Sequence, residues 1–190
     1  MTLTVLAPPA VEPVSLDEAK LHLRVTYADE DALIVRLLTA ARQRVEAALG
    51  LALIATGLRE TLDGWPLAPD GSLELARGPL LGVSAIALAQ ASGPPTLLDP
   101  ALYAPDVGSR PGRVRPAVWR GLGWPAPGVA YGGLSLDYTA GFGPAPGDTP
   151  EPLRQAILLL AGWAFENRDA GEPALGLVEP WLAPWRRVRL

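Results

Sequence analysis

Glycine and proline divide the middle of this chain into segments too short for long helices. The 190 residues include 20 glycines and 21 prolines, and clusters of these two types occur at 64–66, 78–79, 93–95 and 121–128. Apolar and polar residues alternate between the clusters, over 58–62, 73–75, 83–88 and 134–138. Short alternating runs joined by such turns predict a small antiparallel sheet or sandwich.

Two helices are predicted before this β-rich middle. Ser15 and Glu18 have the spacing of a capping box, which predicts a short helix over 16–23. Asp29 is the predicted N-cap of a second, longer helix, in which apolar residues recur at helical spacing. Gly50 suits the position that ends this helix, because glycine readily adopts the left-handed conformation found there.

Helical spacing returns after the β-rich middle. Thr149 is the predicted N-cap of a third helix, and Pro150 suits its first position. Apolar residues surround this helix nearly completely over 156–165, which indicates burial inside a domain or between subunits. The helix is expected to end near Asp169, and the segment 177–190 is either a short terminal helix or an extended arm.

The predicted fold class is α+β. The N-terminal helix pair and the C-terminal helix are expected to pack together, with a small antiparallel β-rich insertion between them. A length of 190 residues is compatible with one domain, and we expect a single domain over 1–190. Its predicted parts are the helical segment 13–50, the β-rich insertion 56–140, the helix 149–170 and the C-terminal arm 177–190.

Composition excludes most catalytic chemistry. The chain has no cysteine, which excludes disulfides, thiolate zinc sites and cysteine nucleophiles, and its one histidine, His22, cannot form a multi-histidine metal site. Gly121 and Gly123 superficially match a dinucleotide loop, but the prolines around them favour a turn. Asp29 and Asp31 lack the remaining ligands of a calcium loop. We therefore predict no enzyme activity, no cofactor and no metal.

Charge is unevenly distributed along the chain. The formal net charge is −4, whereas a protein that binds nucleic acid generally is usually basic. Basic side chains are concentrated in 110–120 and in the last ten residues, and neither segment contains an acidic residue. Each segment is either a solvated loop or tail, or a docking surface for an acidic partner such as a second copy of the chain. A loop facing DNA is a further interpretation of 110–120.

Apolar and aromatic residues suggest contacts with other subunits. Apolar residues make up 49% of the chain, which predicts that part of its surface is covered by other copies. The six tryptophans either anchor loops or act as energetic centres of protein interfaces. The longest apolar run, 156–165, is half a membrane span. With no signal peptide apparent, we expect a soluble cytosolic protein without a membrane partner.

Five segments resemble a known family in their order and spacing. They read PVSLDEAKLHLRV at 13–25, YTAGFG at 138–143, PLRQA at 152–156, FENR at 165–168 and LAPWRRVRL at 182–190. This pattern resembles the head–tail connector (adaptor) proteins of tailed bacteriophages and gene transfer agents. Trp185 stands where the family's closing motif has tyrosine, and 51–133 is compatible with the family only in its general pattern.

The resemblance implies a structural role in the virion neck. Such proteins form a ring, typically of twelve copies, between the portal protein and a stopper or tail-terminator protein. The ring surrounds the channel through which DNA passes without specific binding, and assembly takes place in the bacterial cytoplasm. An acidic body suits such a channel because it repels a passing duplex. The role needs no catalytic chemistry.

Two sets of residues are the candidate functional sites. The predicted portal-binding residues lie in the C-terminal arm and are Trp181, Trp185, Arg186, Arg187 and Arg189. The predicted subunit-interface residues are Arg110, Arg113, Arg115, Arg120, Trp119 and Trp163. Two alternatives stay open: another ring-forming virion part, such as a stopper or tail-completion protein, or a carbohydrate-active or carbohydrate-binding module that uses the loop tryptophans.

Overall fold

The structure is a computed structural model, and it describes residues 1–117, 124–171 and 174–186. The chain is divided into two compact units, which we call the β unit and the helical unit. The β unit comprises Met1–Pro9 and Ala55–Gly141. The helical unit comprises Ala10–Ile54 and Phe142–Leu190. That the whole of 1–190 acts as one domain stays a prediction.

Four helices form the described part of the helical unit. They are α1 (Leu16–Leu23), α2 (Asp31–Leu49), α3 (Glu151–Glu166) and α4 (Glu179–Leu182). Two short 3₁₀ turns flank α4, at Leu175–Val178 and Ala183–Trp185. The first three helices confirm the helices predicted from the sequence. Within the parts of the chain that the structure describes, no helix has both the length and the apolar character needed to cross a membrane.

Local signals determine where these helices begin and end. The Glu18 amide donates to Ser15 Oγ at 3.2 Å, and the Ser15 amide donates to Glu18 Oε2 at 2.9 Å, so the capping box of α1 is confirmed. Gly50 ends α2 in the left-handed conformation, at φ 66°, as predicted. The predicted N-caps of α2 and α3, Asp29 and Thr149, each lie one residue before the observed N-cap position. Glu30 and Pro150 occupy these positions, and neither side chain makes a capping hydrogen bond.

Thr149 has a different role from the predicted cap. Its side chain is buried, and Oγ1 donates to the Leu53 carbonyl at 3.1 Å. A buried hydroxyl without a partner is costly, so this hydrogen bond satisfies a polar group inside the helical unit. Tertiary packing around Leu53 therefore determined the use of a side chain that local propensity assigned to the helix end.

The apolar core of the helical unit comes mainly from α2 and α3. Ile34, Leu38 and Val45 project from α2, while Leu153, Ile157 and Leu160 project from α3, and all six are buried. Spacings of three, four or seven residues place each set on one helix face. Val178 and Leu182 extend the same core from the C-terminal segment.

Eight strands in the described residues form two antiparallel sheets, as the alternating pattern predicted. They are β1 (Thr2–Ala7), β2 (Thr56–Leu62), β3 (Leu73–Glu74), β4 (Leu80–Leu88), β5 (Thr96–Leu97), β6 (Tyr103–Asp106), β7 (Arg113–Pro116) and β8 (Leu134–Ala140). The order is β1-β2-β8-β4-β5 in the larger sheet and β3-β7-β6 in the smaller one. Strands β1, β5, β6 and β7 are not among the alternating runs predicted from the sequence, which were 58–62, 73–75, 83–88 and 134–138.

The central strands of the larger sheet bury alternate side chains. Leu58 and Leu62 of β2 are buried on the same face as Leu134, Leu136 and Tyr138 of β8. Polar residues of both strands occupy the other face, as expected for a sheet covered on one side. The predicted α+β class, with a β-rich insertion between N-terminal and C-terminal helices, is thus confirmed.

Candidate interaction surfaces

The predicted basic cluster is divided between two roles. Arg113 in β7 bonds to two carboxylates of its own unit, with Nη1 3.2 Å from Asp70 Oδ2 and Nη2 3.0 Å from Asp106 Oδ2. The hydrogen bond from Arg113 is the main reason that the pKa of Asp106 lies below its ordinary value. Arg113 therefore links β7 to the end of β6 and to the turn before β3, and its charge is largely compensated.

The other described arginines of this cluster are exposed. Arg115 lies 3.9 Å from Asp106 Oδ2, at the limit of an ion pair, and Arg110 lies on the surface. Arg120 and Trp119 lie outside the described residues. Exposed side chains such as Arg110 and Arg115 can reach a neighbouring molecule, so the subunit-interface role of this segment stays a prediction.

Two loop tryptophans stack on each other. The rings of Trp65 and Trp124 are parallel within 18°, with centroids 4.0 Å apart. Trp65 Nε1 donates to the Pro125 carbonyl at 2.8 Å, and Trp124 Nε1 donates to the Gly71 carbonyl at 3.2 Å. Each ring thus covers one face of the other, and both indole N–H groups are satisfied. This is the arrangement of residues that anchor loops, and it does not favour the carbohydrate-binding alternative.

Trp163 lies on α3, in the nearly all-apolar stretch singled out from the sequence. Its side chain is half-buried, and its carbonyl accepts from the Asn167 backbone and side-chain amides at 2.9 and 2.8 Å. Leu158, Leu159 and Phe165 are also partly exposed, although they pack against the core. The helical unit therefore buries one face of α3 fully, and apolar side chains on its other faces stay partly exposed.

The C-terminal segment folds onto the helical unit as far as it is described. Leu182 is fully buried, and Trp181 and Trp185 pack against the core while keeping part of their surface exposed. The rings of Trp185 and Phe142 meet edge to face, with centroids 5.5 Å apart. Of the two forms considered for this segment, the short helix is therefore observed over the described residues.

Arg186 is the one described arginine of the predicted portal contact. Its Nη2 atom lies 2.6 Å from Glu179 Oε2, and both side chains are about half exposed. Arg187 and Arg189 lie outside the described residues. Trp181, Trp185 and Arg186 do lie close together on one short segment, and their binding to a portal stays a prediction.

Arg154 connects two of the sequence segments that carry the family resemblance. Its Nε atom donates to the Pro13 carbonyl at 2.9 Å, and its guanidinium pairs with Glu18 and Glu151. The Glu18 pKa is lowered chiefly by the Ser15 amide, with further contributions from the Ser15 hydroxyl and Arg154. The capping box of α1 is thus joined to the first turn of α3.

The structure also contains a groove that the sequence analysis missed. Its volume is about 530 Å³, and it lies between α2 and the C-terminal half of α3. It is lined by both apolar and polar side chains, among them Leu37, Ala41, Leu160, Ala164, Gln43, Arg44, Asn167 and Arg168. Arg168 is held there by Glu30 at 3.0 Å and lies 4.8 Å from the Phe165 ring centroid. Small residues on both helices, such as Ala40 and Ala164, were the only sequence signal for it.

Comparison with known proteins agrees with the sequence resemblance. Residues 13–86 match the model of the family described as phage gp6-like head-tail connector protein. The chain is similar to one in the neck of an empty gene transfer agent (GTA) particle computed with C6 symmetry. That match has 30% identity, covers 100% of this chain and 97% of the other, and has a TM-score of 0.79.

Two further solved structures contain similar chains. One is the virion of a native GTA particle, with 29% identity and a TM-score of 0.80. The other is the neck of a native GTA particle computed with C12 symmetry, with 29% identity and a TM-score of 0.79. Both matches cover 100% of this chain and 97% of the other. A search of curated protein sequences found no match.

The fold and these matches define the class of this protein: it is a structural component of a phage-like particle. The chain belongs to the head–tail connector family. The prediction made from its sequence segments is thereby confirmed, including its role as a structural adaptor.

Proposed function

We propose that this chain forms a ring, of twelve copies, in the neck of a phage-like particle, between the portal protein and a stopper or tail-terminator protein. The observation that carries the proposal is the full-length similarity to chains in GTA necks with C6 and C12 symmetry. Twelve copies satisfy both symmetries, since a twelvefold ring also contains the sixfold rotation. The ring assembles in the bacterial cytoplasm and acts without catalysis.

DNA passes through this ring without specific binding. The net charge of −4 disfavours adhesion of a duplex, because phosphate contacts need several uncompensated cations. Arg113, the central member of the basic segment, is compensated by Asp70 and Asp106. The charge balance of the chain therefore fits passage of DNA rather than its capture.

The portal contact is made by the C-terminal segment from a folded position. Leu182 anchors the segment in the helical unit, which leaves the exposed parts of Trp181, Trp185 and Arg186 on its outer side. Tryptophan and arginine are the residue types most enriched at the energetic centres of interfaces. A segment that is already folded loses less conformational entropy on docking than a free tail does.

The experiment is a gene deletion followed by complementation and electron microscopy of particles. Deletion should yield DNA-filled heads without tails, and the wild-type chain should restore tails and appear as a twelvefold ring in the neck. Normal particles after deletion, or the chain elsewhere in the particle, would refute the proposal.

The double variant Arg187→Ser/Arg189→Ser tests the portal contact, with Arg24→Ser/Arg36→Ser as control, because Arg24 and Arg36 are exposed arginines outside the segment. We expect only the first variant to lose attachment to heads.

A further inference from the structure

Strand β1 forms an open edge of the larger sheet. In the described residues, only β2 pairs with it, so the backbone groups on its outer side face away from the sheet. Its sequence, TLTVLA, contains no charged residue and no proline. Natural proteins usually protect such edges with lysine, proline or a covering loop, because an open edge recruits another strand. The strand does contain a register shift between Val5 and Ala7, but Thr2–Val5 pair regularly with β2 and have none of these protections. This regular part of the edge therefore indicates that another chain pairs with it.

The side chains of β1 carry apolar surface beyond the interior of the β unit. Val5 is paired in register with the buried Leu58, yet Val5 itself is 57% exposed. Leu6 and Met1 are exposed as well. The face that is covered at β2 is thus open at Val5, and a strand added beside β1 would cover this side chain together with the backbone groups.

The opposite edge of the same sheet is also open. Strand β5 pairs with Ala87 and Leu88 of β4, and the Leu98 amide donates to the Ile86 carbonyl at 2.8 Å. No other described strand is hydrogen-bonded to the outer edge of β4 over 81–85, a stretch whose pairing with β8 contains two register shifts. Leu81 and Leu97 are exposed apolar side chains at this edge. Two open edges of one sheet, on opposite sides, are the two halves of a possible contact between copies.

Rotational symmetry requires such a pair of different surfaces, and this step rests on the proposed ring. In a ring built by rotation, each copy meets its two neighbours through two distinct surfaces, which must complement each other. We infer that the β1 edge of one copy pairs with the β4 edge of its neighbour, so that the larger sheet continues from copy to copy. A second copy of this chain is therefore the occupant of the β1 edge.

Cysteine cross-linking in assembled particles tests this pairing, since the natural chain has no cysteine. Val5→Cys is combined in turn with Leu81→Cys, Val83→Cys and Ala85→Cys, and the particles are oxidised and analysed by denaturing electrophoresis. The control replaces Val5→Cys with Val107→Cys, because Val107 is a valine of similar exposure, 53%, in the turn after β6. We expect at least one Val5 combination to give a ladder of multimers, and the control and the single variants to give monomer only.

Each alternative result has a distinct meaning. A ring seen in the neck without any ladder overturns the edge pairing and leaves the proposed function intact. Disulfide-linked dimers formed by the Val5→Cys variant alone would also overturn the pairing. So would a cross-link between Val5→Cys and a cysteine introduced into a different particle protein. Wild-type particles whose neck contains no ring of this chain overturn the proposed function, and the pairing with it.

As a second measurement, Val5→Asp should lose incorporation into particles while Val107→Asp retains it, and equal incorporation contradicts the inference.

Discussion

The hydroxyl of Tyr138 lies 3.3 Å from Oε2 of Glu60, inside the larger sheet of the β unit. Glu60 is only 2% exposed, and its Oε2 atom also accepts from the Ala76 amide at 3.0 Å. Burial, and then the neighbouring carboxylate, hold the pKa of Tyr138 well above its ordinary value. The phenol therefore stays protonated and available as a donor to this buried carboxylate.

Substitutions of Tyr138 and of Glu60 should lower the free energy of unfolding by different amounts. Tyr138→Phe removes one hydrogen bond and should lower the free energy of unfolding by about 0.5–1.5 kcal/mol. Glu60→Ala deprives both Tyr138 and Ala76 of an acceptor and should cost more, about 1–3 kcal/mol. Urea denaturation measures both, with Tyr131→Phe as control, because Tyr131 is exposed. A Glu60→Ala protein as stable as the wild type would contradict the assignment.

The capping box predicts a pH-dependent contribution to stability. The pKa of Glu18 is lowered in the folded chain, chiefly by the Ser15 amide. A lowered pKa means that the ionised side chain stabilises the fold above its unfolded pKa, about 4.3, and loses this effect as the pH falls through the folded value. The stability difference between wild type and Glu18→Gln should therefore be full at neutral pH and shrink below about pH 4.

Denaturation series at neutral and acidic pH measure this difference. Glu166→Gln is a matched control, because Glu166 is an exposed glutamate at the end of α3. A Glu18→Gln difference that is the same at both pH values would show that the charge of Glu18 contributes nothing to folding.

The C-terminal segment should contribute to stability through Leu182. Leu182→Ala removes a side chain with 0% exposure and should lower the free energy of unfolding by about 2–5 kcal/mol. Leu177→Ala makes the same change at an exposed position and should cost much less. Arg186→Ala removes a half-exposed ion pair and should change stability by about 1 kcal/mol or less. If Leu182→Ala proved neutral, the segment would not belong to the core.

Arg113 and Arg115 should respond differently to removal. Arg113→Ser breaks the contacts with Asp70 and Asp106 and should lower the thermal midpoint, whereas Arg115→Ser loses only a contact at 3.9 Å. Added salt should narrow the difference in thermal midpoint between wild type and Arg113→Ser, because salt screens exposed ion pairs. Thermal melts of both variants at two salt concentrations measure this. Equal midpoints for the two variants would contradict the structural role of Arg113.

This division of roles also allows the part of the basic segment in assembly to be tested without disturbing Arg113. The variant Arg115→Ser removes an exposed charge and keeps Arg113. We expect it to fold normally and to assemble poorly, if the segment reaches a neighbouring subunit. Normal assembly, measured as incorporation into particles, would remove the segment from the predicted interface.

Elements with short-range signals were predicted from the sequence. The Ser15–Glu18 spacing located the start of α1, and Gly50 located the end of α2, because both signals act within one helical turn. Family membership was predicted in the same way, from ordered segments such as 13–25. The strand β1 was missed, since its pairing with β2 joins residues fifty or more positions apart and its alternation of polar and apolar residues covers only Thr2–Val5.

The sequence by itself determined the helix ends, the alternating strands and the family, because these depend on neighbouring residues and on their order. Only the tertiary structure decided which partners the charged and aromatic side chains have within the chain. Arg113 looked equivalent to Arg115 until folding brought Asp70 and Asp106 within 3.2 Å of it, and the stacking of Trp65 on Trp124 was likewise decided by the tertiary structure. Such partners are set by the closure of long loops and by strand pairing, whose geometry depends on the whole fold rather than on local spacing.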